Sequence, residues 1–533
     1  MALKRYTASA DTTIVNAFEP NLRTRGTGAN MGAADVLETF SIYGRQSTSS
    51  AELSRILVKF PVASVSTDRT NAVIPGSGSV NFYLRMFNAA NSKTAPSGAF
   101  SYTIEPLSRD WQEGYGLDLE GYKDVTKGNI GANWMSSSDS TAWSKTGGDY
   151  ISTANAAYPY RWYNVDATTG INDLEVDVTQ LVELWIAGTL DNYGVGVHLS
   201  GAYEAYYNSA DEGTYDGYNN NLTGATVSYY TKRFFARGSQ FFFKRPTLEA
   251  RWDSTRKDDR GDFYYSSSLA GVNENLNTIY LYNYIRGQLT DIPGSSTGAI
   301  YVSLYSGSAD NGEPSGSALA LPTTLPRTTV EAENPYVVTG GWISTGIYTA
   351  SFAVTSSAAP LTKLFDVWHD GIGTGTPGST NASTEYVTGS IVPLHFSSSQ
   401  TVQKSNYYMN ITNLEERYSP TETARFNLYV RHKNWSPTIY TKANSSIENL
   451  SILSASYRVF RVLDGYNAVS YGTGSDKHTE MSYDISGNYF DFDMRLLEPG
   501  YTYAFKFAFY ENGINSWLEQ PPMFKFRVED HEY

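Results

Sequence analysis

The chain has 533 residues, a net charge of −14 and no cysteine. Disulfides and thiolate metal sites are therefore excluded, and an acidic balance spread along the chain argues against sequence-independent nucleic-acid binding, which needs a basic face. Aromatic residues make up 14%, with 42 Tyr, a composition that suits half-exposed pleated surfaces rather than an α/β enzyme.

Length alone predicts about three to four domains. No stretch reaches the roughly 18 apolar residues of a membrane-spanning helix. The N-terminus, MALKRYTASAD, has two basic residues with no apolar run behind them, so no secretory signal is expected. Strands are predicted at Thr13–Phe18, Arg55–Phe60, Val80–Phe87 and Tyr102–Pro106, followed by a long aromatic loop region over 109–165. Next comes the one clear helix signal. Val178, Leu181, Val182, Trp185 and Ile186 fall at offsets of 0, 3, 4, 7 and 8, one face of a helix over about 178–187. Asp177 and Gln180 are placed like a capping box, and Gly188 can end the helix in a left-handed conformation. Strands at Tyr193–Leu199, Val227–Tyr230, Phe241–Phe243 and Thr247–Trp252 complete a first region.

The stretch 254–262, STRKDDRGD, has no apolar residue and reads as a solvated linker. A second region over 263–400 carries strands at Thr278–Tyr284, Ile300–Tyr305, Trp342–Tyr348, Ser351–Val354, Leu364–Trp368 and Ser390–Phe396. A third over 401–533 carries Arg425–Val430, Ser456–Leu463, Tyr489–Met494, Tyr501–Phe509 and Phe524–Val528. Leu497-Glu498-Pro499-Gly500-Tyr501-Thr502-Tyr503 looks like the tyrosine-corner turn of immunoglobulin-like and fibronectin type III sandwiches. The expected fold is all-β: tandem jelly-roll or Ig-like sandwiches over 1–253, 263–400 and 401–533, with one short helix in the first.

The first region, from about 6 to 253, resembles the DNRLRE family of β-sandwich domains. The match runs in order through Ala10-Asp11-Thr12-Thr13-Ile14, Asn30-Met31-Gly32, Ser54-Arg55-Ile56-Leu57-Val58-Lys59-Phe60-Pro61, Trp111-Gln112-Glu113-Gly114, Ala132-Asn133-Trp134, Gly147-Gly148-Asp149-Tyr150, the helix segment from Asp177 to Trp185, Asn192-Tyr193-Gly194 and Arg245-Pro246-Thr247-Leu248-Glu249. Two features depart from the family: Gly131-Ala132-Asn133-Trp134 replaces the commoner valine-threonine-tryptophan, and the loops from 203 to 240 are long. The resemblance implies a fold more than a site; some members bind polysaccharides and others are structural parts of secreted or virion proteins. Trp111, Trp134 and Trp185 are expected to plug one end of the sandwich, with Tyr501 in the core of the third region. The remaining regions resemble virion proteins of tailed phages in composition.

Catalytic constellations are scarce. The six histidines, His198, His369, His395, His432, His478 and His531, show no metal-ligand spacing, and no nucleophile elbow or phosphate loop is present. Glu331 with Glu333, and Asp491 with Asp493, would each share a strand face; the bland reading is solvated strand, the sharp one a glycosidase pair. His369 precedes the turn dipeptide Asp370-Gly371 and reads as a strand end. Lys257, Asp258, Asp259 and Asp262 read as linker rather than a calcium site. Tyr203, Tyr206, Tyr207, Tyr215 and Tyr218 sit in YEAYYNSADEGTYDGY, a tyrosine and small-polar mixture suited to a contact loop for a partner or a sugar. These features predict a non-enzymatic virion structural or accessory protein, assembled in the host cytoplasm. It would contact other virion proteins or itself as a homo-oligomer, with no catalytic residue, metal, cofactor, nucleic acid or membrane. The alternative is a carbohydrate-binding adhesin that docks on polysaccharide.

Overall fold

The computed structural model describes residues 2–44, 50–90, 99–117, 130–152, 163–208, 220–271, 273–295, 298–307, 312–322, 334–356, 361–371, 382, 384–394, 406–436, 438–439 and 449–529. Tyr215, Tyr218, Glu331, Glu333, His395 and His531 lie outside them. The chain is a tandem β-sandwich protein, with 44% strand and 6% helix, against a usual helix content of roughly a third. It divides into two compact units: Ala2–Asp253 with Gly474–His478, and Ser254–Thr473 with Thr479–Tyr533.

In the first unit, one sheet orders the strands Leu3–Thr7, Thr247–Arg251, Asn81–Met86 and Leu174–Asp177. The other orders Tyr229–Phe235, Val36–Gly44, Ser50–Lys59, Val195–Leu199, Phe100–Pro106 and Tyr163–Ala167, with Ala10–Val15 also paired to Ser50–Lys59. The strand Ser50–Lys59 is covered on both faces. Ile56 and Val58 enter the main core with Phe82, Leu84, Val197 and Leu248. Leu53 and Leu57 enter a second core with Ile14, Trp111, Trp134 and Trp143. Burial on two faces is why RILVKF alternates only loosely. It also separates the three tryptophans: Trp111 and Trp134 pack in the second core, whereas Trp185 packs in the main one, so they do not form a single plug.

Two helices flank the main core, both in this unit. The first, Val62–Thr70, was invisible in the sequence because VASVSTDRT is polar and β-branched. It buries only Val62 and Val65. The second, Thr179–Ile186, buries Leu181, Val182 and Trp185. The two are joined by a bidentate ion pair, Arg69 Nη1 to Glu183 Oε2 at 2.8 Å and Nη2 to Oε1 at 2.6 Å. The second helix starts later than the capping box implied. Asp177 Oδ1 accepts from the Thr179 amide at 2.9 Å, and Val178 occupies the cap position without a side-chain bond. Its end matches expectation. Gly188 is left-handed at φ +69°, and the bonds from Gly188 N to Trp185 O and from Thr189 N to Leu184 O form a Schellman motif. The expected strand Phe241–Phe243 is instead a 3₁₀ turn over Phe242–Lys244.

The outer face of the four-stranded sheet holds a buried charge cluster. Glu249, fully buried, accepts from Arg5 Nε at 2.7 Å, Arg85 Nη1 at 2.8 Å and Arg251 Nη2 at 2.6 Å. Burial alone would raise its pKa, but the three guanidiniums hold the carboxyl well below the usual range.

In the second unit, one sheet orders Asn277–Tyr282, Ile347–Phe352, Val338–Ser344, Ile300–Gly307, Leu364–His369 and Glu385–Ile391. It closes on a core of Phe263, Ile279, Val302, Tyr348, Phe352 and Trp368. The segment 254–262 is not a solvated linker. Asp259 exchanges bonds with Thr278, its amide to Thr278 O at 2.8 Å and the Thr278 amide to its Oδ2 at 2.7 Å. Arg260 makes a bidentate pair with buried Asp366, at 2.6 and 2.8 Å. The polar residues of STRKDDRGD therefore seal the edge of a sandwich.

A second pair of sheets follows. One contains Tyr407–Ile411, Thr423–His432, Gly487–Asp493 and Ser482–Asp484; the other is centred on Thr502–Glu511. Their shared core is aromatic: Tyr457 stacks on Phe490 at 4.2 Å and Phe505 on Phe526 at 4.6 Å. The tyrosine-corner residue is Tyr503, whose hydroxyl donates to Glu498 O and accepts from Glu498 N, each at 3.0 Å. Tyr501, expected in the core, is half-buried beneath Arg461, because the turn faces it outward.

Trp185 is 7% exposed, and truncating such a ring costs about 3–5 kcal/mol. Calorimetry of full-length Trp185→Ala is expected to lower the first unit's transition and leave that of the second unit in place.

Candidate functional site

A cleft of about 490 Å³ opens on the first unit, lined by Arg55, Glu105, Asp149, Tyr150, His198 and Glu204 among others. Arg55 projects from the two-faced strand toward the second core. Its Nε and Nη2 bond Glu204 Oε1 and Oε2 at 2.9 and 2.8 Å, and Nη1 donates to Gly147 O at 3.1 Å. Its guanidinium carbon lies 5.4 Å from the Trp134 ring and 5.6 Å from the Tyr150 ring. Burial would raise the Glu204 carboxyl, but Arg55 and His198 overcome that and hold it below the ordinary range.

Strand Val195–Leu199 brings His198 to the same place. Its Nδ1 donates to Leu199 O at 2.8 Å and lies 3.7 Å from Glu204 Oε1. Its Nε2 faces Glu105 Oε2 at 3.5 Å without a hydrogen bond among the described residues. The Tyr150 ring lies across Gly196, where a Cβ would come within 2.2 Å of it, so a glycine is required there. Asp149 accepts from Arg109 Nε at 2.8 Å and from the amides of Ser144 and Lys145, each at 2.9 Å. These bonds outweigh its burial and lower its pKa. The cleft thus gathers donors and acceptors that are largely satisfied by one another. Sequence reasoning missed it as a site. The available signals were Arg55 and His198, charged or polar residues inside strands whose neighbours are apolar on both faces.

The residues singled out from sequence have structural surroundings. Tyr203 meets Tyr229 edge-on at 4.9 Å and packs on the main core. Tyr207 packs on the second core, and its backbone pairs with Asn221. Tyr206 is half-buried. Among the described residues this loop therefore offers no open aromatic platform. Asp491 pairs with Arg425 at 2.8 Å, and Asp493 accepts from Arg495 at 2.6 Å while capping a 3₁₀ turn. Asp258, Asp259 and Asp262 all have raised pKa values through burial, Asp258 to about 6. No group of three acidic or histidine side chains among the described residues is placed to hold a metal.

His369 is fully buried, with Nε2 at 3.0 Å from Ser303 Oγ. The pair superficially suggests a nucleophile and its base, but the proton order is wrong. Gly371 N donates to His369 Nδ1 at 3.2 Å, so the proton sits on Nε2 and is donated to Ser303 Oγ. Ser303 in turn donates to Tyr336 O at 3.0 Å. The histidine cannot take the serine proton, and the pair is a structural relay.

No known protein family matches the chain, and no curated protein does. Solved structures with some likeness include titin Ig tandem domains, 10% identical with a TM-score of 0.14, covering 44% of this chain and 83% of that one. Trypsin-activated alpha-2-macroglobulin from Escherichia coli is 10% identical with a TM-score of 0.15, covering 89% of this chain and 29% of that one. A mutant Salmonella alpha-2-macroglobulin is 8% identical with a TM-score of 0.15, covering 92% and 34%. The chain spans about a third of the macroglobulins' length.

Burial pushes His369 down to about 4 from its ordinary 6.5. Between those values the unfolded chain binds a proton that the folded chain excludes, so stability falls as pH falls, by at most about 1.4 kcal/mol per pH unit. Between pH 6.5 and pH 4 the second unit's melting temperature should fall less, or rise more, in His369→Gln than in the parent, a comparison that cancels the opposite contributions of the raised carboxyls of Asp258, Asp259 and Asp262.

Proposed function

We propose that the chain is a non-enzymatic structural or accessory component of a tailed-phage particle, exposed on head, neck or tail, and that it works through protein–protein contacts. The observation that supports this reading is how the reactive side chains are held. Glu204, Glu249, Asp366, Asp491 and Asp493 are each bonded by a neighbouring guanidinium, as cross-links in a scaffold require. The tyrosine-rich, cysteine-free composition and the sandwich modules in series fit the same role. The cleft around His198 favours a second reading, carbohydrate binding. Its polar lining and the Glu105 carboxylate facing an unpartnered ring nitrogen suit a hydroxylated ligand.

Mass spectrometry of particles from the host that encodes the chain, with a glycan array on the purified protein, separates the two. The expected result is a fixed copy number per particle and a silent array. An array signal removed by Glu105→Gln, with the chain absent from particles, would overturn the proposal in favour of the second reading.

A further inference from the structure

The six-stranded path of the second unit ends in two strands, Asn277–Tyr282 and Glu385–Ile391. The first is tied at its start. Asp259 bonds both backbone groups of Thr278, and Asn277 exchanges bonds with Tyr264 at 3.0 Å each way. Among the described residues the second pairs only with Leu364–His369. Beyond it, Leu394 is held by Phe263 and Tyr265, but no described residue bonds the outer backbone of Glu385–Ile391. Glu385, Val387, Thr388 and Ser390 are all exposed, which opens the strand on both faces. An open edge is a template for another strand, and proteins usually guard it with lysine, proline or a covering loop. EYVTGSI has no lysine, arginine or proline.

We infer that Glu385–Ile391 is the edge at which a second copy of this chain adds, antiparallel, about a two-fold axis at Thr388. This rests on the reading of the chain as an assembling protein. In that register Thr388 faces Thr388, Val387 faces Gly389, Tyr386 faces Ser390 and Glu385 faces Ile391. The only charge falls at the strand's end, so the two copies of Glu385 stand about 20 Å apart. Self-pairing of this strand therefore sets no like charges opposite one another. A two-fold pairing uses this edge once in each copy, so addition stops at two copies and gives a closed dimer rather than a fibre.

The chain has no cysteine, so a single introduced thiol reports the contact cleanly. Directly opposed antiparallel residues have Cβ atoms about 4.5–5.5 Å apart, near disulfide reach. Full-length Thr388→Cys is expected to form a covalent dimer under mild oxidation, whereas Ser390→Cys, displaced from the axis, should not. Thr388→Lys sets like charges face to face and should weaken the dimer in sedimentation by about tenfold or more, with an unchanged far-UV spectrum. Ser390→Lys checks the edge independently, and its expected effect is in the same direction. A monomer at all concentrations, equal cross-linking of both cysteine variants, or a dimer indifferent to both lysines would overturn the inference. If the monomer still incorporates into particles, only the edge assignment fails; if it does neither, the structural role fails with it.

Discussion

The strand Ser50–Lys59 has a hydrophobic core on each face, and one of those cores contains a guanidinium. Ile56 and Val58 point into the space between the sheets, while Leu57 and Arg55 point toward Trp111, Trp134 and Tyr150. A strand buried twice must carry any polar side chain into low dielectric, where an unpaired charge is very costly. Arg55 is accommodated only because Glu204, Gly147 and two aromatic faces surround it. The loop bearing Glu204 is thereby fixed to the sheet, and Tyr203 and Tyr207 are drawn into packing positions. The same logic recurs at Glu249 and at Asp366. Fully buried acids, each clasped by arginine, join elements far apart in sequence.

Much of the fold was legible because its signals are local. The helix at Thr179–Ile186 was announced by its apolar spacing and by Gly188. Strand Thr502–Glu511 was announced by its alternating aromatics, and the corner before it by Pro499-Gly500. The helix Val62–Thr70 was not legible: it buries two valines, and its placement comes from packing and the Arg69–Glu183 pair rather than from its own sequence. Tyr501 was expected in the core because residues two apart on a strand share a face, but the strand starts at Thr502 and leaves Tyr501 half-buried. Only the turn decides which hydroxyl reaches Glu498.

The site was less legible than the fold. Its residues come from positions 55, 105, 149, 198 and 204, which no local pattern unites. STRKDDRGD shows the opposite failure. Its composition is that of a linker, yet Asp259 and Arg260 reach strand edges and a buried carboxylate, and burial raises Asp258 and Asp259. Polarity in sequence does not distinguish solvation by water from solvation by protein. The tyrosines make a related point. Tyr203, Tyr207 and Tyr457 are packed rather than displayed, so a high tyrosine count in a β protein measures pleated packing as much as binding surface.

The central claim is that the charges at the cleft are structural cross-links, and a double-mutant cycle on Arg55 and Glu204 tests it most directly. The pair is buried, with the two residues 9% and 8% exposed. Removing either partner alone should cost about 3–5 kcal/mol by leaving an uncompensated charge. The account predicts that Arg55→Met with Glu204→Leu loses clearly less than the sum of the single losses. Additive losses would contradict it, as would single variants that keep full stability.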